Sequence, residues 1–447
     1  MASEWKDVHL GELIEVKHGW PFKSELFSEQ LSGRPIVINI GNFRYTGGFR
    51  FESTTVREYR GEYPKEYELS PGDMLLVMTC QTADGEILGI PARVPKDNRI
   101  YLHNQRLGRV VVRDPERVDS AFLYWLFLSP DFNSELYLSA SGTKILHTAP
   151  SRIEAVKFRL PCLSEQRAIA NVLGALDAKI DLNRQMNETL EKVARSLFKS
   201  WFIDFDPVRT KAAGRDPNLP NYLAHFFPDS FEDSELGEIP SGWNAVPLYE
   251  IATYINGAAY KAFEPNDERQ GLPIIKIAEL KSGVTPRTKF SDVRMPEKYL
   301  IKGGEILFSW SGNPDTSIDT FVWDGSDAWL NQHIFRVLPH QPHERTFVIT
   351  LLKNLRPVFA EIARNKQTTG LGHVTAGDMK QLLVAMPDDR LMRAWNSVAQ
   401  PLLDRAFLCE RESKHLAALR DMLLPELISG TLRISDLEIL GDASKCA

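Results

Sequence analysis

Near the middle of a 447-residue chain, Leu163–Ile180 reads LSEQRAIANVLGALDAKI. From Ser164 onward, apolar residues recur every three or four positions, which places them along one face of a helix. The stripe comprises Ile169, Leu173, Leu176, Ile180, Leu190, Val193, Leu197 and Phe198. Because Pro161 and Ser164 supply a breaker and an N-cap, the pattern predicts a long amphipathic helix that begins here.

A second stripe of the same kind lies near the C-terminus. It comprises Trp395, Val398, Leu402, Ala406, Cys409, Leu416, Leu419 and Leu423. About 35 residues form a rod of roughly 50 Å, and neither rod can bury its stripe alone. We expect the two helices to pack as an antiparallel coiled-coil spacer, with Asn183 and Asn187 fixing the register and Pro401 kinking the second helix. The alternative, in which each helix only covers its own domain, stays open.

The remainder of the chain is an internal repeat. The matched segments are Leu10–Gly19 with Leu248–Gly257, Gly33–Val37 with Gly271–Ile275, Ser70–Leu76 with Lys302–Phe308, His103–Gln105 with Leu330–Gln332, and His147 with His373. The shift between copies falls from 238 residues at Gly19 to 226 at His147, as expected for loops that diverge on a common scaffold. Each half of the chain is therefore one variable domain followed by one long helix.

Each variable domain has a strand-like pattern. Short apolar runs between Gly, Pro and Asp turns predict strands at Ile36–Ile40, Met74–Met78, Gly108–Val112, Ile274–Ile277 and Ile306–Trp310. Helical candidates follow at Ser120–Phe127 and Thr346–Leu355. The predicted fold class is α+β, with two tandem pseudo-repeated domains at 1–161 and 243–387, and helical spacers at 162–242 and 388–447.

Composition narrows the class of protein. With 43% hydrophobic and 25% charged residues the chain is globular, and its four scattered cysteines suit a reducing cytosol. The N-terminus has no signal-peptide pattern and no run of about 18 apolar residues occurs, so we expect a cytoplasmic protein without membrane contact. A net charge of −6 argues against non-specific coating of nucleic acid, but not against a local DNA-binding surface.

The helical segments also carry a family resemblance. Leu160–Ala170, Leu176–Ile180 and Leu190–Val208 resemble the central conserved region of type I restriction-modification specificity subunits. Leu236–Trp243 resembles the entry to the second target recognition domain of that family, and Leu419–Leu432 its distal conserved region. The Glu-Gln-Arg signature of the first copy is absent from the second, so contacts made through it are not expected to be two-fold.

The resemblance implies a non-catalytic subunit. In this family each target recognition domain reads one half of a split double-stranded DNA sequence, and the paired helices set the gap. Two methyltransferase subunits dock on the helical regions, and motor and nuclease subunits join for restriction. The candidate partner-binding residues are Glu165, Gln166, Arg167, Phe198, Trp201, Phe202, Leu423 and Leu424. The aromatic members of this set are equally well interpreted as core.

The residues agree with a non-catalytic role by what the sequence lacks. It has no Asn/Asp-Pro-Pro-aromatic turn and no Gly-rich turn for S-adenosylmethionine, so we expect that cofactor in the partner methyltransferase and none in this chain. Ser141–Lys144 lacks the upstream glycine of a phosphate-binding loop. His340 and His343 are interpreted as solvent-facing, and Asp388–Asp389 as favourable charge at a helix N-terminus.

Candidate DNA-binding residues lie in polar loops that follow the repeated strands, since base readout needs such side chains on exposed loops. They are Arg44, Tyr45, Thr79, Gln81, Thr82, Asn104, Gln105, Lys144, Lys276, Lys281, Ser309, Ser311, Asn331, Gln332, Thr368 and Thr369. A turn that satisfies its own backbone is the alternative for any one loop. Because Asn-Gln recurs in both copies, a phosphate or scaffold role ranks there before base reading.

Two rival functions remain at this point. The first is a helical protein-binding scaffold without DNA readout, which salt-dependent, sequence-selective DNA binding would exclude. The second is a complete enzyme with an unrecognised motif, which methyl transfer by the purified chain alone would favour.

Overall fold

The computed structural model describes residues 5–28, 32–51, 55–81, 85–367 and 371–435. The chain divides into a first unit, residues 1–180 with 414–447, and a second unit, residues 181–413. Each unit therefore contains one copy of the repeat and one portion of each long helix. The four-segment division expected from the sequence gives the long helices segments of their own and stays a prediction.

The elements of the first unit follow the repeat. The strands are β1 (Lys6–His9), β2 (Ile14–His18), β3 (Phe27–Ser28), β4 (Ile36–Ile38), β5 (Glu58–Tyr59), β6 (Glu68–Leu69), β7 (Met74–Val77), β8 (Thr79–Cys80), β9 (Pro91–Arg93), β10 (Tyr101–His103), β11 (Leu107–Val112), β12 (Leu146–His147) and β13 (Lys157–Leu160). The helices are α1 (Ser120–Leu128), α2 (Pro130–Ser139), α3 (Pro150–Glu154) and, up to Ile180, the long α4 (Leu163–Phe202).

The sheets of the first unit are small and mixed. An antiparallel sheet has the order β2-β11-β7-β9, and a second sheet has the order β3-β5-β4-β10-β6, in which β10 runs parallel to β4. β1 pairs with β13, and β12 with β8. All four residues of β7 are buried, because sheet neighbours and core side chains cover both faces of this strand.

The second unit repeats this arrangement. After α5 (Asp206–Ala212) and α6 (Asn221–Ala224), its strands are β14 (Phe231–Ser234), β15 (Gly237–Pro240), β16 (Asn244–Pro247), β17 (Ala252–Asn256), β18 (Leu272–Ile275), β19 (Phe290–Ser291), β20 (Leu300–Ile301), β21 (Ile306–Ser309), β22 (Ser311–Gly312), β23 (Asp319–Val322), β24 (Ala328–Leu330), β25 (Ile334–Pro339), β26 (Gly372–His373) and β27 (Leu383–Met386). Its other helices are α7 (Ile277–Ser282), α8 (Arg345–Asn354), α9 (Arg356–Asn365), α10 (Ala376–Gln381) and, up to Ser413, the long α11 (Asp389–Ser429).

The strand orders confirm the duplication. The sheet β17-β25-β21-β23 corresponds to β2-β11-β7-β9, and the parallel pair β18–β24 corresponds to β4–β10. The register corrects one detail of the sequence alignment. Val37 pairs with Leu102, whereas Ile274 pairs with Trp329, so Val37 matches Ile274 and not Ile275. Because Ile274 and Ile275 are the same residue type, the sequence alignment does not reveal a shift of one residue between them. The strand register does reveal it, since such a shift exchanges the two faces of the strand.

The long helices confirm the predicted elements but correct their stripes. α4 has 40 residues and α11 has 41, and α11 continues through Pro401 as one helix. Val193 and Leu419 are 42% and 39% exposed, and the neighbours Ala194 and Arg420 are buried instead. A helix of 3.6 residues per turn rotates a fixed three-four pattern off the buried face over several turns, so the stripe drifts by one residue.

Within each unit the two helices contact each other. In the second unit Asn183 Nδ2 donates to Glu412 Oε2 at 2.7 Å, and Met186 Sδ lies 3.6 Å from Cys409 Sγ. Partners retreat along α11 as positions advance along α4, so the segments are antiparallel there. In the first unit Arg420 pairs with Asp177 at 2.6 Å.

Among the described residues, none of the helices combines the length and the apolar character that crossing a membrane requires.

Candidate nucleic-acid interface

Both units contain the same close approach between two loops. Trp20 bridges to Asn104, and Ala258 bridges to Asn331, in the parallel sense. A Cβ atom on Gly19 would lie 2.2 Å from the Asn104 carbonyl oxygen, and one on Gly257 would lie 2.2 Å from that of Asn331. Only glycine fits at this distance. Gly19 and Gly257 therefore allow the backbone after each matched N-terminal segment to lie against the loop at Asn104 or Asn331.

The loop that is approached is a tight turn in each copy, residues 104–106 and 331–333, which we call the Asn-Gln turns. Asn104 Oδ1 accepts from the Arg106 N–H at 3.1 Å, and Asn331 Oδ1 accepts from the His333 N–H at 3.4 Å. An Asn side chain that bonds the backbone two residues on stabilises such a turn. The side-chain oxygen of the repeated Asn is therefore bonded within the turn in both units.

In the first unit the Asn-Gln turn forms one wall of an open cleft of about 540 Å³. The lining residues are Phe22, Ser24, Phe27, Asn39, Ile40, Gly41, Thr55, Arg57, Gln81, Asn104, Gln105 and Arg106. Gln81, Asn104 and Gln105 were candidates from the sequence. Arg57 and Arg106, which are both exposed, were missed. Arg106 was detectable as the variable residue after the repeated Asn-Gln, whereas Arg57 reaches the cleft only through the pairing of its strand region.

The other first-unit candidates that the structure describes are not among the residues that line this cleft. Thr79 is buried, and its hydroxyl lies 3.1 Å from His147 Nδ1; Ser311 and His373 are paired at the equivalent place in the second unit. Lys144 is exposed, Arg44 is half-buried and Tyr45 is 53% exposed, and none of the three lines the cleft. Thr82 lies outside the described residues.

Several second-unit candidates are already engaged within the protein. The Lys276 ammonium lies 5.2 Å from the centre of the Tyr260 ring, and the Lys281 ammonium donates to the Thr316 carbonyl. Gln332 Nε2 lies 3.3 Å from His333 Nε2, and Ser311 is half-buried. Thr368 and Thr369 lie outside the described residues.

Burial corrects part of the candidate set. Ser309 is fully buried, and Asn331 and Thr79 are only 3% and 6% exposed, so their side chains have almost no surface to present to a base. Ser309 ends β21, the counterpart of the fully buried β7, and its loop position in the sequence concealed this. The polar character of a strand end does not by itself give exposure.

Two buried ionisable groups stabilise the wall of the first-unit cleft. Burial lowers the pKa of His103 to about 4, so the ring is neutral and donates from Nε2 to the Leu107 carbonyl at 2.8 Å. Burial alone would raise the pKa of Glu58, but hydrogen bonds from Ser32 and Gly33 outweigh it and hold that pKa below its ordinary value. Both side chains are buried, and neither lines the cleft.

The predicted partner-binding residues divide into internal and external groups. Gln166 is fully buried: it accepts from the Asp119 N–H and donates to the carbonyls of Arg117 and Pro161. Glu165 pairs with Arg433 at 2.6 Å and accepts from the Trp5 indole. The structure therefore gives these two side chains internal contacts, and leaves Arg167 exposed at 3.5 Å from Asp119.

The aromatic candidates lie in the core of the second unit, so the core interpretation describes their position. Phe198, Trp201 and Phe202 are 0%, 2% and 5% exposed and surround Trp395 at ring-centre distances of 5.3 to 5.6 Å. Phe198 and Phe202 also line an apolar groove of about 280 Å³, beside the exposed Ile203. In the first unit Leu424 is buried and Leu423 is half-buried.

The histidines of the HxxH pattern have protein partners. His343 Nε2 lies 2.5 Å from Asp389 Oδ1, and His340 Nε2 lies 3.0 Å from the Glu250 carbonyl oxygen. Asp389 is the first residue of α11, and Asp388 Oδ1 accepts from the Leu391 N–H at 2.9 Å, which agrees with the predicted role of this acidic pair. Within the described parts of the chain, no group of three or more His, Cys, Asp or Glu residues is arranged to hold a metal ion.

Comparison with known proteins confirms the family. The model of the type I restriction modification DNA specificity domain matches twice, at residues 2–192 and 240–390. The type I restriction enzyme MjaIX specificity subunit of Methanocaldococcus jannaschii is 26% identical over 75% of this chain and 73% of its own. The HindI specificity subunit of Haemophilus influenzae is 22% identical over 96% of this chain and 100% of its own. The chain therefore belongs to the type I restriction-modification DNA specificity family and is a specificity subunit.

A solved structure supports the fold. The type I restriction-modification S subunit from M. genitalium covers 95% of this chain and 96% of its own, with a TM-score of 0.57 at 15% sequence identity.

Proposed function

We propose that this specificity subunit reads a bipartite double-stranded DNA target, one half-site with each unit. The observation that carries the proposal is the duplicated Asn-Gln turn, which both units hold in the same way beside loops of different polar composition. Two units that bind different DNA sequences need the same backbone arrangement with different side chains on it. Each half-site would then be set by its own unit.

We further propose that α4 and α11 form the spacer between the half-sites. The antiparallel contacts of Asn183 with Glu412 and of Asp177 with Arg420 support this, because each occurs within a different unit at a matching level of the two helices. Pairs of polar side chains at a helix seam specify register more than they add stability. The spacer length would therefore fix the number of unread base pairs.

The remaining parts of the assembly are also proposals. The chain would have no catalytic activity of its own, and S-adenosylmethionine would bind in the methyltransferase partner. Two methyltransferase subunits would dock on the helical regions, one of them beside the apolar groove at Ile203, and motor and nuclease subunits would join for restriction. The cytoplasm, where host DNA lies, would be the site of action.

The main test is co-expression of this chain with its methyltransferase subunit, followed by long-read sequencing of N6-methyladenine across the host genome. A split motif that requires this chain is the expected result. A stable complex without sequence-specific methylation would contradict the proposal and favour a helical scaffold. Methyl transfer by the purified chain alone would contradict its non-catalytic role.

The spacer has its own test. Four residues inserted in each helix, after Asn187 and before Glu412, lengthen the pair by roughly 6 Å. We expect the gap to grow by about two base pairs while both half-sites keep their sequence, since bases are stacked about 3.4 Å apart. An unchanged gap in a folded variant would reject the helices as the spacer.

A further inference from the structure

The residue that ends each Asn-Gln turn has a fixed backbone and a variable side chain. Arg106 and His333 each donate their N–H to the Asn side chain of the turn. The Arg106 carbonyl also accepts from the Met78 N–H at 2.9 Å, and the His333 carbonyl accepts from the Trp310 N–H at 3.3 Å. Both the N–H and the C=O of this residue are therefore bonded in the same way in the two units.

The side chains at this position differ in what they contact. The exposed guanidinium of Arg106 has no hydrogen-bond or ion-pair partner among the residues that the structure describes. The ring of His333 lies against Trp310 at 5.6 Å and within 3.3 Å of the Gln332 amide nitrogen. Arg106 lies at the wall of an open cleft, and its backbone N–H and C=O are both already hydrogen-bonded. It is therefore ready to bind, because little conformational freedom of its main chain remains to be lost.

The surroundings of Arg106 favour a base edge over a lone phosphate. Gln81 and Gln105 line the same cleft and are exposed, so amide donors and acceptors lie beside the guanidinium. The planar guanidinium fork matches the O6 and N7 acceptors of guanine in the major groove, and this is the commonest specific contact between proteins and DNA.

We infer that Arg106 is a specificity-determining residue of the first unit and that it reads a guanine in one half of the target. This inference rests on the proposed function and deepens it, since it names the base that this cleft selects. His333, which packs against its own protein, gives the second unit a different reading at the equivalent position. The two half-sites therefore differ partly because the residue at this position is Arg106 in the first unit and His333 in the second.

The test uses the full chain with its methyltransferase subunit and compares methylation motifs of Arg106→Ala and Arg106→Lys with the parent. We expect one guanine of one half-site to become optional in both variants, with discrimination falling about 10- to 100-fold. Lysine keeps the charge but cannot form the two parallel bonds. His333→Ala should leave that guanine required, and Arg99→Ala, an exposed arginine outside the cleft lining, should leave the whole motif unchanged.

Retention of every guanine in both Arg106 variants would overturn the inference. If methylation is lost entirely, binding of the purified complex to matched and mismatched duplexes decides the matter. Loss of affinity that is equal for all sequences, with the salt dependence reduced by about one charge, would identify a phosphate contact and overturn base reading. Failure of the proposed function is distinguishable, because the parent chain itself would then direct no split motif.

Discussion

The two long helices begin at equivalent places in the repeat but are fastened by opposite kinds of interaction. At the start of α4, buried Gln166 accepts from the Asp119 N–H at 2.8 Å and donates to two carbonyls at 2.9 Å. With Pro161 matched to Pro387, Gln166 corresponds to Met392 and Glu165 to Leu391, and these two residues are 3% and 0% exposed in an apolar core. One position of a scaffold is thus held by hydrogen bonds in one unit and by apolar packing in the other.

The Glu-Gln-Arg signature makes contacts in the first unit that have no equivalent at Leu391 and Met392. Glu165 pairs with Arg433 and accepts from Trp5, so the signature fastens the N-terminal and C-terminal segments of the first unit. In the second unit Leu391 belongs instead to the apolar core that also contains Phe198, Trp201 and Trp395. In the first unit this polar motif therefore makes internal contacts, and its role in partner binding stays a prediction.

The greatest loss of unfolding free energy is expected when the apolar packing of the second unit is disrupted. Trp395→Ala removes the fully buried ring that Phe198, Trp201 and Phe202 surround, and we expect the second unit to lose about 3–5 kcal/mol of unfolding free energy. Hydrogen exchange with mass spectrometry reports each unit separately. Val193→Ala, at an exposed position of α4, is the control and should change stability by less than about 0.5 kcal/mol. Equal losses in the two variants would contradict the burial pattern.

The next two variants exchange the residues that the two units have at this position. Met392→Gln places an amide in a site whose neighbours are apolar, so we expect a loss of about 3 kcal/mol in the second unit from an unpaired polar group. The measurement is chemical denaturation followed by exchange in peptides of each unit. A neutral result would mean that water reaches Met392 and that the site is not apolar.

The reverse exchange is expected to cost less. Gln166→Met leaves the Asp119 N–H and two carbonyls without their side-chain partner, and we expect a loss of about 2 kcal/mol in the first unit. The exposed neighbour Arg167→Met is the matched control and should be nearly neutral. If Gln166→Met instead preserves stability but abolishes binding of the methyltransferase subunit, the partner-binding prediction for Gln166 is the better one.

The smallest effect at neutral pH concerns His103, whose counterpart in the second unit is the buried Leu330. Because the native pKa is about 4 and the ordinary value is 6.5, the unfolded chain binds a proton more readily between these values. The contribution of His103 to the free energy of unfolding should therefore be fully present above pH 6.5. It should fall by about 1.4 kcal/mol per pH unit as the pH falls towards 4.

His103→Leu tests this directly by copying the second unit. We expect a loss of about 1 kcal/mol at pH 7, from the Leu107 carbonyl that loses its donor. The acid-dependent loss between pH 6.5 and 4 should be smaller than in the parent by the contribution of one proton. Identical pH profiles for the two proteins would reject His103 as the source.

Much of the fold could be predicted because its signals are periodic or repeated. The helix beginning near Ser164, the strands at Met74 and Ile306, and the duplication all appear in the structure. The candidate site was less predictable. Asn104 and Gln81 were found as polar loop residues, but burial of Ser309 depends on strands that cover it from elsewhere in the chain.

Hydrophobic spacing and matched segments are properties of the linear chain, so the amino-acid sequence is enough to predict the tandem α+β repeat, the two long helices and the family. Which polar residues are exposed depends instead on tertiary contacts. Gln166 is buried and hydrogen-bonded, whereas Arg106 is exposed at a cleft with no hydrogen-bond or ion-pair partner among the described residues, although both are polar residues in the sequence. The reason is physical: burial and hydrogen-bond satisfaction arise from segments distant in sequence, and no local pattern records which of them will meet.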